Sequence, residues 1–321
     1  MNAIDKRINE LTKYYPDLTT PADLDAFWER SLQKAYTKPV SAVKTPVPTP
    51  YAYMEVFHLT YEGWDDTPLH AWYIRPAFMK EEKLSCVVLF HGYTGGKGYP
   101  EQYASWLMLG MAVLAVDVRG QGGETGNRLD SGYGTVKGWV SQGILSKDTC
   151  YYKAITIDAL KAVEWVSTQP DVDSAKIAVC GASQGGGLAL IVSALSRKPS
   201  VAVANIPNMC HMDFGILHST GSLTEAAEFV HRFPEHFDKV LETLSYFDML
   251  NLGCRITIPV MVSVGLKDTI CMPETIFAAY NRITSQKRIE IYPFTGHDVG
   301  ARQQRRTAEF ILDHFNNFNN T

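Results

Sequence analysis

Between residues 51 and 77 apolar and polar side chains alternate. "YAYMEVFHLTYE" and "LHAWYIRPA" read as two strands with one buried face each, joined through "GWDDTP" as an antiparallel pair. From residue 85 the pattern changes. "SCVVLFHG", "MAVLAVDVRG", "KIAVCGAS", "SVAVANIP", "PVMVSVG" and "RIEIYPF" are short, continuous, β-branched runs, separated by helix-like stretches such as "DTCYYKAITIDALKAVEWVSTQ". Runs apolar on both faces that alternate with helices predict a doubly wound α/β fold, a mostly parallel sheet covered on both sides. Ahead of the strands, "TTPADLDAFWERSLQKAY" predicts an amphipathic helix with Thr20 as N-cap and Pro21 at the first helical position. The proline-rich "TKPVSAVKTPVPTP" predicts an extended surface connection. Residues 1–50 are too few to hold a core of their own, so a single domain over 1–321 is expected.

Two inserts interrupt the alternation. One is the glycine-rich "QGGETGNRLDSGYGTVKGWVSQGILSK"; the other, "MCHMDFGILHSTGSLTEAAEFVHRFPEHFDKVLETLSYFD", has a helical pattern. Both leave the C-terminal ends of strands, where open α/β sheets bind ligands, and both are expected to wall a pocket.

Composition narrows the function classes. A net charge of −4 without a basic stripe excludes a nucleic-acid footprint. The longest apolar runs fall far short of the roughly 20 residues of a membrane-spanning helix, so no membrane role is expected. "MNAIDKRINELTKYYPDL" has no uninterrupted apolar region, and a cytoplasmic protein without a signal peptide is expected. Cys86, Cys150, Cys180, Cys210, Cys254 and Cys271 form no CxxC pair and read as reduced, packed thiols. No histidine spacing matches a metal motif, and Pro234 interrupts "HRFPEH". Neither a metal nor a cofactor is expected.

"GASQG", with the strand run "KIAVC" before it and the helical run "GGLALIVSALS" after it, matches a nucleophile elbow centred on Ser183. The turn is so sharp that side chains two positions either side would collide, a demand met by Gly181 and Gly185. A glycine-rich packing turn is the alternative. A serine hydroxyl needs a base and the base an anion, and in this fold their chain order is Ser, acid, His. Asp268 follows "PVMVSVG" and His297 follows "RIEIYPF", in that order. Asp117 ends a strand but precedes the elbow; Asp298 is adjacent to His297; His58, His70 and His314 lie in strands or the last helix. The expected oxyanion donors are the backbone N–H groups of Gln184 and Tyr93, in a loop bent by Gly92, Gly95 and Gly96. In "RGQGG", beside the site, Arg119 is expected to form a structural ion pair, next to Gly120 and Gln121. Tyr93, Tyr133, Trp139 and Phe214 are aromatics able to stack on a sugar or to pack.

With these residues in hand, the chain resembles the acetyl xylan esterases and cephalosporin-C deacetylases of carbohydrate esterase family seven. The resemblance rests on "RGQG", "GASQGGG", "TLSYFD", "SVGLKDTICMP" followed by "TIFAAYN", and "IYPFTGHD", and covers nearly the whole chain. It implies an α/β-hydrolase fold and a cofactor-free, metal-free serine esterase. The implied substrates are short acetylated xylo-oligosaccharides and cephalosporin C. Ser183 would be the nucleophile, His297 the base, Asp268 its partner, and Tyr93 and Gln184 the oxyanion hole. A homo-oligomer, a hexamer with inward-facing sites, is also implied. Two departures stand out: Asp298 where the family usually carries glutamate, and His91 where an apolar residue is expected, which would alter pocket polarity. A broad carboxylesterase or peptidase of the same fold, and a non-catalytic small-molecule receptor, are the competing readings.

Overall fold

The structure, a computed structural model, describes residues 2–37, 39–79, 83–132 and 137–317. The described strands are β1 (Ala42–Val47), β2 (Met54–Glu62), β3 (Pro68–Pro76), β4 (Leu84–Phe90), β5 (Ala112–Val116), β6 (Val172–Ala182), β7 (Val201–Asn205), β8 (Val260–Gly265) and β9 (Lys287–Tyr292). They form one sheet in the order β1-β2-β3-β5-β4-β6-β7-β8-β9. The first three are antiparallel, β3 meets β5 antiparallel, and every pairing from β5 to β9 is parallel.

The helices are α1 (Ala3–Thr12), α2 (Leu24–Ala35), α3 (Ala104–Met108), α4 (Tyr151–Ser167), α5 (Gln184–Leu195), α6 (Met212–His218), α7 (Thr224–Arg232), α8 (Phe237–Ser245), α9 (Met249–Leu252), α10 (Pro273–Arg282) and α11 (Ala301–Asn317). Alternate strand residues feed opposite cores. Cys86, Val88 and Phe90 pack with Ile155 of α4, Leu188 of α5 and Phe277 of α10. Val87, Val113 and Val203 pack with Leu107 of α3 and Ile311 and Phe315 of α11. Burial on both faces is why these strands are continuously apolar. Among the described residues no helix is long and apolar enough to cross a membrane. All six cysteines are free thiols, five buried and Cys254 exposed.

The N-terminal segment departs from expectation. Residues 3–12 are helical, capped by Asn2 Oδ1 accepting from Asp5 N at 2.9 Å. α2 starts at Leu24 rather than beside Pro21, because the Thr20 hydroxyl donates to Asn251 Oδ1 at 3.0 Å and caps nothing. The proline-rich segment contains β1, an edge strand in which Pro46 faces Phe57 of β2. An edge tolerates the missing proline N–H, and its mostly exposed side chains leave no alternation to read.

Arg119, just beyond β5, ties sheet, helix and hairpin together. Its side chain is fully buried. Nε and Nη2 donate to the two carboxylate oxygens of Asp158 on α4 at 2.6 and 2.9 Å, and Nη1 donates to Asp65 in the β2–β3 turn at 2.8 Å. Asp158 also accepts from Trp64 N at 2.8 Å. A Cβ on Gly63 would sit 2.8 Å from Nη2, so this turn has no room for a side chain. Breaking such a buried pair strands a carboxylate, and Arg119→Met is expected to lower unfolding stability by about 3–5 kcal/mol in urea titrations. A loss within the range of a surface pair, under about 1 kcal/mol, would contradict this account.

Candidate active site

Ser183 follows the C-terminal end of β6, beside the ends of β4 and β7. This residue lies between β6 and α5 with φ 57° and ψ −120°, a strained conformation for a residue with a Cβ, held at a cost of roughly 1–3 kcal/mol by its surroundings. Its N–H donates to Asn205 O at 2.9 Å, and its carbonyl accepts from Gly187 N at 3.0 Å and Asn208 N at 2.9 Å. The glycines are required by space. A Cβ on Gly181 would lie 2.3 Å from the Gly185 carbonyl, and one on Gly185 only 2.0 Å from Phe90 O.

Asp268, three residues past the end of β8, has a fully buried side chain. Oδ1 accepts from Ile270 N at 2.8 Å and Cys271 N at 3.0 Å, while Oδ2 pairs with His297 Nδ1 at 2.8 Å. With Nδ1–H directed at the carboxylate, His297 Nε2 is left as the lone-pair nitrogen. The Ser183 hydroxyl lies 3.9 Å from Cys271 Sγ, and no hydrogen bond joins it to His297 in this conformation. Burial, reinforced by the Asp268 charge, pushes the Cys271 thiol pKa well up, so it stays a neutral neighbour.

Tyr93 follows Gly92, where a Cβ would lie 3.7 Å from Ser183 Cβ. Gln184 opens α5. Among the described residues neither the Tyr93 N–H nor the Gln184 N–H donates to a protein acceptor. Their surroundings are bonded tightly. Gln121 Oε1 accepts from Thr94 N at 2.9 Å, and its Nε2 donates to Gln184 Oε1 and to the Tyr151 hydroxyl, both at 2.8 Å. The Tyr93 hydroxyl donates to Glu225 at 2.8 Å and accepts from Trp139 N at 2.9 Å, while Val140 N donates to the same carboxylate. Thus Glu225, at the start of α7, locks the two inserts onto the Tyr93 loop; burial raises its pKa.

Both ring nitrogens of His91 are engaged by backbone groups. Its Nε2 accepts from Val118 N at 2.9 Å, and its Nδ1–H donates to Gly92 O at 2.8 Å. A backbone N–H can only donate, so the ring is the neutral Nδ1–H tautomer and staples the loop after β4 to that after β5.

The remaining candidates are placed elsewhere or otherwise occupied. Asp117 is buried, accepting from Lys97 Nζ at 3.1 Å and Glu124 N at 2.8 Å. Asp298 is exposed, next to the start of α11. His314 lies on α11 beside Phe315. Trp139 packs edge-to-face on Tyr93 at 5.3 Å, and Phe214 lies between His211 and His218. Gly120, at φ +73°, makes room for the Trp139 indole, whose Nε1 would be 2.8 Å from a Cβ there. Tyr133 falls outside the described residues. His58, His70 and Glu124 form the one described cluster with metal-ligating groups in reach of one another. The place of Cys271 beside Ser183 and the role of Glu225 are not legible in sequence, since each meets its partner only through the fold: Glu225 is 132 positions from Tyr93.

Residues 1–314 match the family model described as Acetyl xylan esterase (AXE1). Acetyl xylan esterase from Paenibacillus sp. R4 superposes with a TM-score of 0.91 at 36% identity, covering 95% of this chain and 99% of that one. Acetyl Xylan Esterase 1 from Thermoanaerobacterium sp. JW/SL YS485 gives 0.91 at 29% identity, covering 96% and 98%. The acetyl esterase Axe7A of Xylanibacter ruminicola is 27% identical over 297 residues, 90% of this chain. The chain spans 65% of that curated relative's length.

The His91 staple predicts a pH dependence. Burial lowers its pKa below the ordinary value, so the unfolded chain binds the proton more readily than the native one. Its contribution is complete above the unfolded pKa of about 6.5 and is lost as pH falls below that value. Thermal unfolding at pH 7.5 and pH 5 is expected to show a smaller acid-induced drop in His91→Gln than in the parent; an equal drop would refute the staple's role.

Proposed function

The chain belongs to the acetyl xylan esterase family, and from that premise we propose that it is a serine esterase removing acetyl groups from short acetylated xylo-oligosaccharides. The observation that carries the reading is the coincidence of Ser183 on a strained strand-to-helix turn with His297 paired to the buried Asp268. Similarity to two solved acetyl xylan esterases of matching length supports the substrate class.

In this mechanism substrate binding turns the Ser183 hydroxyl from Cys271 to His297 Nε2, which removes its proton as Oγ attacks the acetyl carbonyl. Asp268 keeps Nδ1–H in place and stabilises the imidazolium. The developing oxyanion takes the uncommitted Tyr93 and Gln184 amides at the positive end of α5, where a single donor is worth about 10²–10³ in kcat. His297 then protonates the departing sugar alkoxide. Water, deprotonated by the same nitrogen, attacks the acetyl-serine, and as the Oγ–acyl bond breaks and acetate leaves, His297 returns that proton to Ser183 Oγ. The acetyl ester of cephalosporin C offers the same carbonyl and leaving-group chemistry and is proposed as a second substrate. A homo-oligomer, a hexamer, belongs to the same reading and rests on family resemblance.

Ser183→Ala and His297→Ala are each expected to lower kcat for acetate release by at least a thousandfold, and the double variant no further, because the two act as a unit. Near-parental activity in folded Ser183→Ala would overturn the mechanism. Acetate release from acetylated xylo-oligosaccharides and cephalosporin C, measured against p-nitrophenyl butyrate and a peptide anilide, tests the substrate. Preference for the longer ester or the anilide would replace it by a broad esterase or a peptidase.

A further inference from the structure

Away from the serine, the β2–β3 hairpin and the turn beyond β5 gather a second group of functional side chains. His58 faces Trp72 and Thr60 faces His70 in the antiparallel register. The two histidines are therefore diagonal neighbours on one face of the sheet, their ring centroids 5.0 Å apart. Glu124 reaches them from the RGQGG turn, with Oε2 2.9 Å from His58 Nε2. One ligating atom from each of the three residues lies within 4.8 Å of the other two.

The environment suits ligation. The Thr60 hydroxyl lies 3.2 Å from His70 Nδ1. This is the kind of outer hydrogen bond that orients metal-binding imidazoles, and it leaves Nε2 for a ligand. Glu124 also accepts a hydrogen bond from Lys97 Nζ. That ammonium, 2.7 Å from Oε2, competes with an ion for the carboxylate. Its charge is matched by Asp117 at 3.1 Å, both side chains being almost wholly buried, and Glu124 retains its other oxygen. The Glu124 side chain is 56% exposed and that of His58 26%, which leaves access for water.

We propose that His58, His70 and Glu124 form a binding site for a divalent transition-metal ion such as Zn²⁺ or Cu²⁺, completed by water. Two imidazoles and one carboxylate suit these ions and not Ca²⁺ or Mg²⁺, which take oxygen sets. Bonds of about 2.0–2.2 Å set tetrahedral donors about 3.4 Å apart, so the His58–Glu124 pair opens slightly from 2.9 Å while the wider donor separations, all within 4.8 Å, draw in, a movement within reach of partly exposed side chains. The ion pins the 122–124 turn to the hairpin. Gly122 N of that turn donates to Gly95 O at 2.8 Å in the loop carrying Tyr93, so the site braces the edge of the pocket without touching the reacting groups. It is independent of the esterase reading.

The test uses the full chain carrying Cys254→Ser, because that thiol is exposed and thiolates ligate zinc. ZnCl₂ is titrated calorimetrically into this parent and into His58→Ala, His70→Ala and Glu124→Gln derivatives, with unfolding midpoints measured with and without metal. One equivalent is expected, at least about tenfold weaker in each derivative, with a zinc-induced rise in midpoint confined to the parent. CuCl₂ electron paramagnetic resonance is expected to show coupling to two imidazole nitrogens in the parent and to one in either histidine derivative. Absence of parental binding at millimolar ion, or equal binding by parent and derivatives, would overturn the assignment.

Discussion

The arrangement depends on one steric constraint, the approach of the start of α5 to the ends of β4 and β6. With a Cβ 2.0 Å from Phe90 O at Gly185 and 2.3 Å from the Gly185 carbonyl at Gly181, only hydrogen fits at either position. The helix is thereby pinned against the C-terminal edge of the sheet, and the residue between must take φ 57°. That conformation lifts the Ser183 side chain out of the turn and leaves the Gln184 amide at the open end of a helix. The Gly92 loop is drawn into contact with the same serine. The Ser183 side chain, the helix N-terminus and the neighbouring loop share one origin.

Around this origin, buried polar side chains perform the work that apolar packing cannot, fixing loops whose backbone groups lack strand partners. His91 joins the loops after β4 and β5, Gln121 joins Thr94 to Gln184, and Asp117 closes Lys97 and Glu124 onto each other. Glu225 draws both inserts onto Tyr93. Each is satisfied by neighbours, as burial of a polar group demands. Arg119 performs the same task one layer deeper, between α4 and the hairpin. The RGQGG turn is thus a junction of scaffold bonds at the edge of the site.

The parallel strands, the antiparallel pair before them, and the relative order of Ser183, Asp268 and His297 were legible because they are written in local period and chain order. The edge strand β1 was not, since an exposed strand carries no alternation, and Thr20 was misread because its hydroxyl serves Asn251, 231 positions away. The His91 staple is not written in the sequence either, for a histidine's role is set by which atoms its two nitrogens meet.

The sequence by itself determined the α/β alternation, the glycine-flanked turn, and the residue types from which a nucleophile, base and acid are drawn, because propensity, patterning and sterics act between near neighbours. Tertiary structure alone decided that Asp268 reaches His297, that Cys271 sits beside the Ser183 hydroxyl, and that Glu225 spans two inserts. It also decided that His58 and His70 share a face with Glu124. Such contacts join segments far apart in the chain, and their distances exist only once the sheet has set its register and the loops have closed upon it.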